Sequence, residues 1–449
     1  MSRDQQHDST PLEDPAQLRQ YFEESFTARH ERGIGTEHEK FGFHRDTGHP
    51  LAYEGEHGIG ALFDRLVEHE GWTPIRDGQH VLALERDGAA VTLEPGGQLE
   101  LSGAVTRTIH ETAAELHQHL DEVARHAEPL GQQWCLLGMN PWDDLDDVPW
   151  MPKSRYSIMR RYLPTVGRLA HWMMKMTCTV QANYDFTDEA DAMDILRTGL
   201  RLSPLVSALF ANSPVQQGRA TGLVSNRMAI WEETDPARCG VPPFMLREDS
   251  SFDDYVEYLL DVPMFFIRRN DAYLDLAGES FRAFMKDGLR GHTATLGDFE
   301  LHLSTAFPEV RMKRYIEVRS ADCGPAPFIL ALPALWKGIL YDDEARRQAA
   351  ALVPMKSADE LRALFGICRT EGLSGHFRGR PIRHLALELV RIAGDGLDRQ
   401  AEGHPSERSF LDPLLGDDGM PRNPGDMFLS AWRAHEGDRE AIQTHFSIR

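Results

Sequence analysis

The sequence predicts an α+β chain organised around one sheet with a polar, concave face. Three observations predict it. Helical and strand-like segments alternate irregularly and carry hairpin signals, which favours α+β over a doubly wound sheet. Polar residues recur at i, i+2 inside four strand-like segments whose other positions are largely apolar: Glu37/Glu39, Gln98/Glu100, Gln181/Asn183 and Glu317/Arg319. No GxxxxGK[ST] and no strand-linked GxGxxG is present, so the phosphate-binding loops of the common nucleotide folds are excluded.

In chain order, Asp14-Pro15 is a helix start, followed by Leu18, Phe22 and Phe26 at helical spacing. Residues 34–43 and 80–102 read as strands, broken by DG and PGG turns. Ile109, Ala113, Leu116, Leu120 and Val123 mark an amphipathic helix over 108–128. TVQANYDF (179–186) is strand-like and leads into a helix through EADAMDILRTGLRLSPLVSALFAN. Residues 295–322 hold strand pieces around a Phe-Pro break, and after Pro325 long helices are expected near 344–369 and 381–395. With no repeat, low-complexity tract or composition step, residues 14–449 read as one catalytic domain with a helical C-terminal part, behind a disordered tail over 1–13.

The 449 residues are 41% hydrophobic, enough for a large core. With 48 Lys+Arg against 70 Asp+Glu, the formal charge of −22 excludes nucleic acid as the main partner. Bound divalent metal can still reverse the local sign, so nucleotides are not excluded. The most apolar run, GPAPFILALPALWKGIL, contains prolines and a lysine and cannot span a membrane. The five scattered cysteines and a polar N-terminus without an apolar run lead us to expect a reduced, cytoplasmic protein.

Two carboxylates at i, i+2 of a strand point the same way, about 6.6–7 Å apart. One such pair is an acidic wet face; four in one chain suggest neighbouring strands lining one hollow. Hard divalent cations take oxygen ligands, and Mg²⁺ is held by a few carboxylates together with substrate phosphates. An arginine beside such ions adds positive charge where a transferring phosphoryl group develops negative charge. Glu317 as ligand and Arg319 as phosphate clamp would then act from one strand. MPKSRYSIMRRYLP concentrates Lys153, Arg155, Arg160 and Arg161 beside Tyr156 and Tyr162, either a solvated basic helix or an anion site. SNRMAIWEETDPARCG gathers Arg227, Trp231 and Arg238 in a segment read as a loop, and His38 reads as a residue of the opposite strand face.

GTEHEKFGF, EPGGQLELSG, MPKSRYSIMRRYLP, IWEETDPARCG and FPEVRMKRYIEVRSADCGP, in that order, resemble the plant-type glutamate–cysteine ligases, from about residue 15 to the C-terminus. The resemblance implies a glutamine synthetase-like carboxylate–amine ligase whose curved, mainly antiparallel sheet forms a half-barrel active site. It implies ATP as co-substrate, two or three Mg²⁺ ions, and L-glutamate and L-cysteine joined through γ-glutamyl phosphate to γ-glutamylcysteine, the first step of glutathione synthesis. A monomer or homodimer without nucleic acid or membrane partners is expected. Carried onto this sequence, the metal ligands would be Glu37, Glu39, Glu94, Glu100 and Glu317. Arg319 would contact phosphate. Gln98, Lys153, Arg155, Tyr156, Tyr162, Gln181, Asn183, Arg227, Trp231 and Arg238 would lie on the substrate side. Ser320 and Cys323 stand where glycines are expected, which puts the local backbone in question. Ligation to another amine, or phosphoryl transfer alone, are the rival readings.

Overall fold

The computed structural model describes residues 8–270, 272–355, 357–401 and 403–448. Among them runs a nine-stranded sheet. Its strands are β1 (Ile34–His44), β2 (Thr73–Asp77), β3 (His80–Arg86), β4 (Ala89–Leu93), β5 (Leu99–Ser102), β6 (Gln132–Cys135), β7 (Thr179–Tyr184), β8 (Val310–Met312) and β9 (Ile316–Asp322). The order is β8-β9-β7-β1-β5-β4-β3-β2, with β6 pairing the last residues of β1, and every pairing is antiparallel. The order ends at β8 and β2, so the sheet is open and not a closed barrel.

Period-two alternation divides β1. Glu37 and Glu39 face one side, and Thr36, His38 and Lys40 face the other. On that second side Lys40 is fully buried, with Nζ 2.9 Å from His119 Nε2 and donating to the Leu99 carbonyl at 3.3 Å. The His38 ring meets His119 edge-on, as the expected opposite-face residue. Helices Glu189–Leu209 and Ala326–Leu340 back strands β7 and β9. Both are buried over most of their length, because a helix covered on several sides must be apolar nearly all round. No helix of the described residues is long and apolar enough to cross a membrane.

Three expectations about elements change. Residues 1–7 of the expected tail lie outside the described residues, but 8–13 are anchored. Leu12 is buried and donates its amide to the Ala294 carbonyl at 3.0 Å, and Leu296 N–H donates to the Thr10 carbonyl at 2.9 Å. The helix expected over 344–369 is two helices, Asp343–Leu352 and Ala358–Thr370. Pro354 cannot continue the first, and the Ser357 hydroxyl caps the second by accepting Glu360 N–H at 3.2 Å. The helix expected at 381–395 runs further, over Ile382–Gln400. The amphipathic helix expected over 108–128 is found at Ile109–Ala127, and it starts on a capping box between Thr108 and Glu111.

Candidate active site

The polar pairs fall into register on one face of the sheet. Glu39 lies directly opposite Glu100, and Glu37 lies between Ser102 on β5 and Gln181 on β7. Glu317 lies opposite Asn183 on one side and Arg311 on the other. Two polar zones result, one centred on Glu39 and one on Glu317, with Glu37, Gln181 and Asn183 between them.

In the first zone Glu39, Glu94, Glu100, Arg155, Gln181, Arg227, Trp231 and Arg319 line one cavity. Glu39 accepts the Thr179 N–H at 2.9 Å and Glu100 accepts the Ser102 hydroxyl at 2.7 Å. Burial and the negative charges of Glu94 and Glu100 push the Glu39 carboxyl well above the usual carboxylate range. Burial and Glu100 push Glu94 to about 8. Glu94 and Glu100 lie near enough to act on each other, and like charge at that range favours keeping a proton on Glu94. A hard cation would satisfy the same oxygens without the proton, so this donor set fits a divalent metal ion. Among the described residues no three His, Cys, Asp or Glu are grouped so that they could hold a metal ion. An ion here would need oxygens from a bound substrate phosphate besides these carboxylates.

In the second zone Glu317 is fully buried and held by cations. Arg311 Nε and Nη2 donate to its two oxygens at 2.9 and 3.0 Å, Lys313 Nζ lies 3.3 Å from Oε1, and Arg319 pairs with Oε2. Burial alone would raise this carboxyl, but Arg311, Lys313 and Arg319 together hold it well below the ordinary range. Both oxygens are engaged, so an open ligand at Glu317 is not what the structure presents. Glu37 accepts Asn183 Nδ2 at 3.0 Å, and Arg319 Nη1 also donates to Gln181 Oε1 at 2.6 Å.

Arg319 reaches both zones because β9 is irregular there. The register with β7 shifts between Val318 and Ala321. This bulge turns the Arg319 and Ser320 carbonyls toward Arg227, which donates to them at 2.9 and 3.3 Å. Neither Ser320 nor Cys323 has a positive φ, so neither position requires glycine. The Cys323 thiol instead donates to the Glu39 carbonyl at 3.0 Å, which fixes the strand that carries the carboxylates.

Of four sequence-predicted substrate residues, Arg238 and Tyr162 are corrected because they lie outside the cavity, whereas Gln98 and Tyr156 line it with polar atoms bonded to backbone. Arg238 is completely buried away from the cavity. Its Nε pairs with Asp235 at 2.6 Å, its other nitrogens donate to the Thr305 and Pro263 carbonyls, and it stacks over Phe265. Tyr162 packs edge-on against Phe265 in an apolar cluster. Gln98 touches the cavity, but its amide is spent on the backbone, donating to Thr177 at 2.9 Å and accepting from Gly96 at 2.9 Å. It braces a turn where Gly97 has φ +84° and a Cβ on Gly96 would lie 2.5 Å from the Lys175 carbonyl. Tyr156 likewise lines the cavity while its hydroxyl donates to the Leu93 carbonyl at 2.6 Å. Lys153 sits beside the Tyr156 ring, where its charge acts on Glu94. Arg155 is buried in the cavity wall, and Arg227 and Trp231 line it from the helix Asn226–Glu232, a segment whose polar composition predicts a loop. Among the described residues the buried indole Nε1 of Trp231 has no hydrogen-bond partner. Sequence reasoning missed Arg311, Lys313, Thr179 and Phe307. Arg311 and Lys313 bracket Glu317 at i−6 and i−4 across a hairpin, a spacing that gives no signal in one strand.

A family model described as glutamate-cysteine ligase family 2 matches residues 33–413. The chain is 44% identical over 384 residues to the chloroplastic glutamate–cysteine ligase of Nicotiana tabacum, covering 85% of this chain and 72% of that one. It is 44% identical over 370 residues to chloroplastic glutamate–cysteine ligase B of Oryza sativa subsp. japonica, covering 82% and 74%. Among solved structures, glutamate–cysteine ligase of Francisella tularensis in complex with AMP superposes with a TM-score of 0.55 at 14% identity, covering 92% of this chain and 87% of that one. That likeness supports the mixed helix and antiparallel-sheet fold. The same relatives correct the expected cytoplasmic location: those that match over most of the chain are chloroplastic enzymes, and neither the scattered cysteines nor the polar N-terminus reads out a compartment. With 381 of its 449 residues inside the family match and its acidic strands in register, the chain belongs to the glutamate–cysteine ligase family 2.

Proposed function

We propose that the protein catalyses ATP-dependent ligation of L-cysteine to the γ-carboxylate of L-glutamate, giving γ-glutamylcysteine, ADP and phosphate for glutathione synthesis. The observation that carries the site assignment is the register of Glu39 against Glu100 beside Glu94, on the sheet face that also holds Arg319 and Glu317. The open sheet is read as a glutamine synthetase-like half-barrel with that face inside.

Two or three Mg²⁺ ions are proposed, held by Glu39, Glu94 and Glu100 in one zone and by Glu37 and Glu317 in the other. When bound, they supply Lewis-acid charge neutralisation between ATP phosphates and the glutamate carboxylate. Arg319 and Lys313, which rest on Glu317 in this structure, would move to the phosphate oxygens and leave Arg311 as its lasting partner. Arg155 and Arg227 are placed to receive the α-carboxylate of glutamate, and the unpartnered Trp231 N–H can donate to the same substrate. Thr179 and Gln98 hold the strand and the turn that carry Glu39 and Glu100. Once γ-glutamyl phosphate forms, positioning the amine beside its carbonyl contributes on the order of 7–11 kcal/mol.

The test is to incubate the protein with ATP, Mg²⁺, glutamate and a panel of amino acids and identify products by mass. A mass corresponding to γ-glutamylcysteine, with phosphate release that needs both amino acids, is expected. Phosphate release with glutamate alone, or product from another amine only, would replace this reading by one of its rivals.

A further inference from the structure

Beyond its bulge, β9 ends on Asp322, a buried carboxylate that does not line the carboxylate cavity. It is closely enclosed: a Cβ on Gly138 would lie 2.8 Å from the Asp322 Cβ, so a glycine is needed opposite it. Groups from two other parts of the chain converge on it. Asn212 N–H, just past the helix Glu189–Leu209, donates to Oδ2 at 2.8 Å, and the Ser213 hydroxyl donates to the same oxygen at 2.6 Å. The Ser225 hydroxyl donates to Oδ1 at 3.0 Å, and Arg227 Nη1 lies 3.9 Å from that oxygen. Burial raises the Asp322 carboxyl above its ordinary range, and Arg227 and these hydrogen bonds oppose the rise.

The two serines carry this anchorage to the site. Ser225 is the N-cap of the helix Asn226–Glu232, and its oxygen accepts Met228 N–H at 3.2 Å. The Ser213 oxygen accepts Arg227 N–H at 3.1 Å, and the Ser213 carbonyl accepts Asn226 N–H at 2.9 Å. A hydroxyl has one proton and two lone pairs, so each serine can donate to Asp322 while it accepts from the first turn of the helix. The end of β9 thereby holds both the backbone that carries Arg227 and, through the ion pair, its guanidinium. Arg227 completes this support with its bonds to the Arg319 and Ser320 carbonyls and presents the same side chain to the cavity. Of the negative charges that act on Arg227, Asp322 acts most strongly, followed by Glu309 and Glu39.

We infer that Asp322 is a positioning residue of the ligase: through Ser213, Ser225 and its ion pair it fixes the Arg227 guanidinium where the glutamate carboxylate arrives, and so sets affinity for glutamate and not the rate of phosphoryl transfer. The inference rests on the ligase reading above. A guanidinium fixed in advance loses its rotamer freedom on folding and not again at each binding event. With the Asp322 charge removed, Glu309 and Glu39 become the main negative charges acting on Arg227, which draws it off the substrate carboxylate.

The test is a double-mutant cycle on the full chain. Asp322→Asn keeps the shape of the side chain and removes the charge facing Arg227. It is expected to raise the KM for glutamate about tenfold, as for a weakened charge-assisted interaction, with kcat and the KM for ATP within about threefold of wild type. Glutamate dissociation constants, read by calorimetry in Mg²⁺ and ADP, should shift by the same factor. In an Arg227→Met background the substitution should change glutamate binding by less than about twofold, because the side chain it positions is gone. Ser225→Ala leaves the Asp322 charge in place and removes one link to the helix; it is expected to raise the KM for glutamate about threefold, and it decides the matter should Asp322→Asn not fold. An unchanged KM for glutamate in either folded variant, an equal rise for ATP, a loss confined to kcat, or an undiminished effect without Arg227 would each overturn the assignment. A wild-type protein that forms no γ-glutamylcysteine would instead refute the ligase reading itself, so the two failures are distinguishable.

Discussion

Replacing Glu39 by Gln separates what the carboxylate does for the fold from what it does for chemistry. Glu39 and Glu100 are directly opposed across β1 and β5, a relationship that places side-chain origins about 5 Å apart. At an effective dielectric constant near 20, two charges at that spacing repel by about 3 kcal/mol. Glutamine keeps the carbonyl oxygen that accepts Thr179 N–H and removes the charge. The metal-free variant should therefore be more stable than wild type at pH 8, by about 1–3 kcal/mol. Unfolding entropy is about 2.1 cal/mol/K per residue, so for 449 residues a gain of 2 kcal/mol corresponds to about 2 °C in Tm. The sign of the pH dependence follows from the raised carboxyl. Between the ordinary carboxylate range and the raised folded value the native state holds a proton that the unfolded state has released, so wild-type stability falls as pH rises through that window. The gain from Glu39→Gln should thus be present at pH 8 and absent at pH 5, measured by thermal unfolding in EDTA. In the ligation assay with saturating Mg²⁺ the same variant should lose about 10²-fold or more in kcat, the loss expected when a preorganised electrostatic group is removed. A variant less stable than wild type at both pH values, or one with wild-type turnover, would refute the picture of a carboxylate cluster waiting for a cation.

The other predictions concern charge partners. Arg319→Ala should abolish glutamate-dependent ATP cleavage and ligation together, by about 10³-fold, because one side chain serves both zones; ligation that persists with only a higher KM for glutamate would count against this. Arg238→Met should cost about 3–5 kcal/mol in urea unfolding by stranding buried Asp235, with substrate KM values unchanged in the remaining folded protein. Adding Mg²⁺ to the metal-free enzyme should raise Tm more at pH 8 than at pH 6, since protons compete for Glu94, whose carboxyl lies near 8. Equal shifts at both pH values would remove Glu94 from the ligand set.

What was legible in the sequence was whatever strand periodicity enforces. Glu37 and Glu39 must share a face because the backbone alternates, and Arg319 stays beside Glu317 although it lies inside the register shift between Val318 and Ala321. The helix over 108–128 was legible because its apolar residues recur at helical spacing; the capping box that fixes its start at Thr108 is a finding of the structure. Arg238 was misplaced because a loop rich in polar residues does not reveal which of them turn inward; its guanidinium is fixed by Asp235 three residues away and by two carbonyls far along the chain. Gln98 lines the cavity as its position predicts, but what the sequence did not show is that a tight glycine turn takes up its amide.

The least legible feature is also the one that joins the two halves of the site. A regular β9 would continue the alternation of Glu317 and Arg319 onward to Ala321, with every carbonyl committed to the ladder. The bulge instead releases the carbonyls of Arg319 and Ser320 to Arg227, while the Arg319 side chain stays on the carboxylate face beside Glu317. One irregularity therefore places Arg319 and Arg227 against each other from separate elements, where both line the carboxylate cavity. Straightening the strand would leave each acidic pair intact and still uncouple the chemistry. The ligation site is thus specified by where the sheet departs from its repeat as much as by the repeat that exposes its carboxylates.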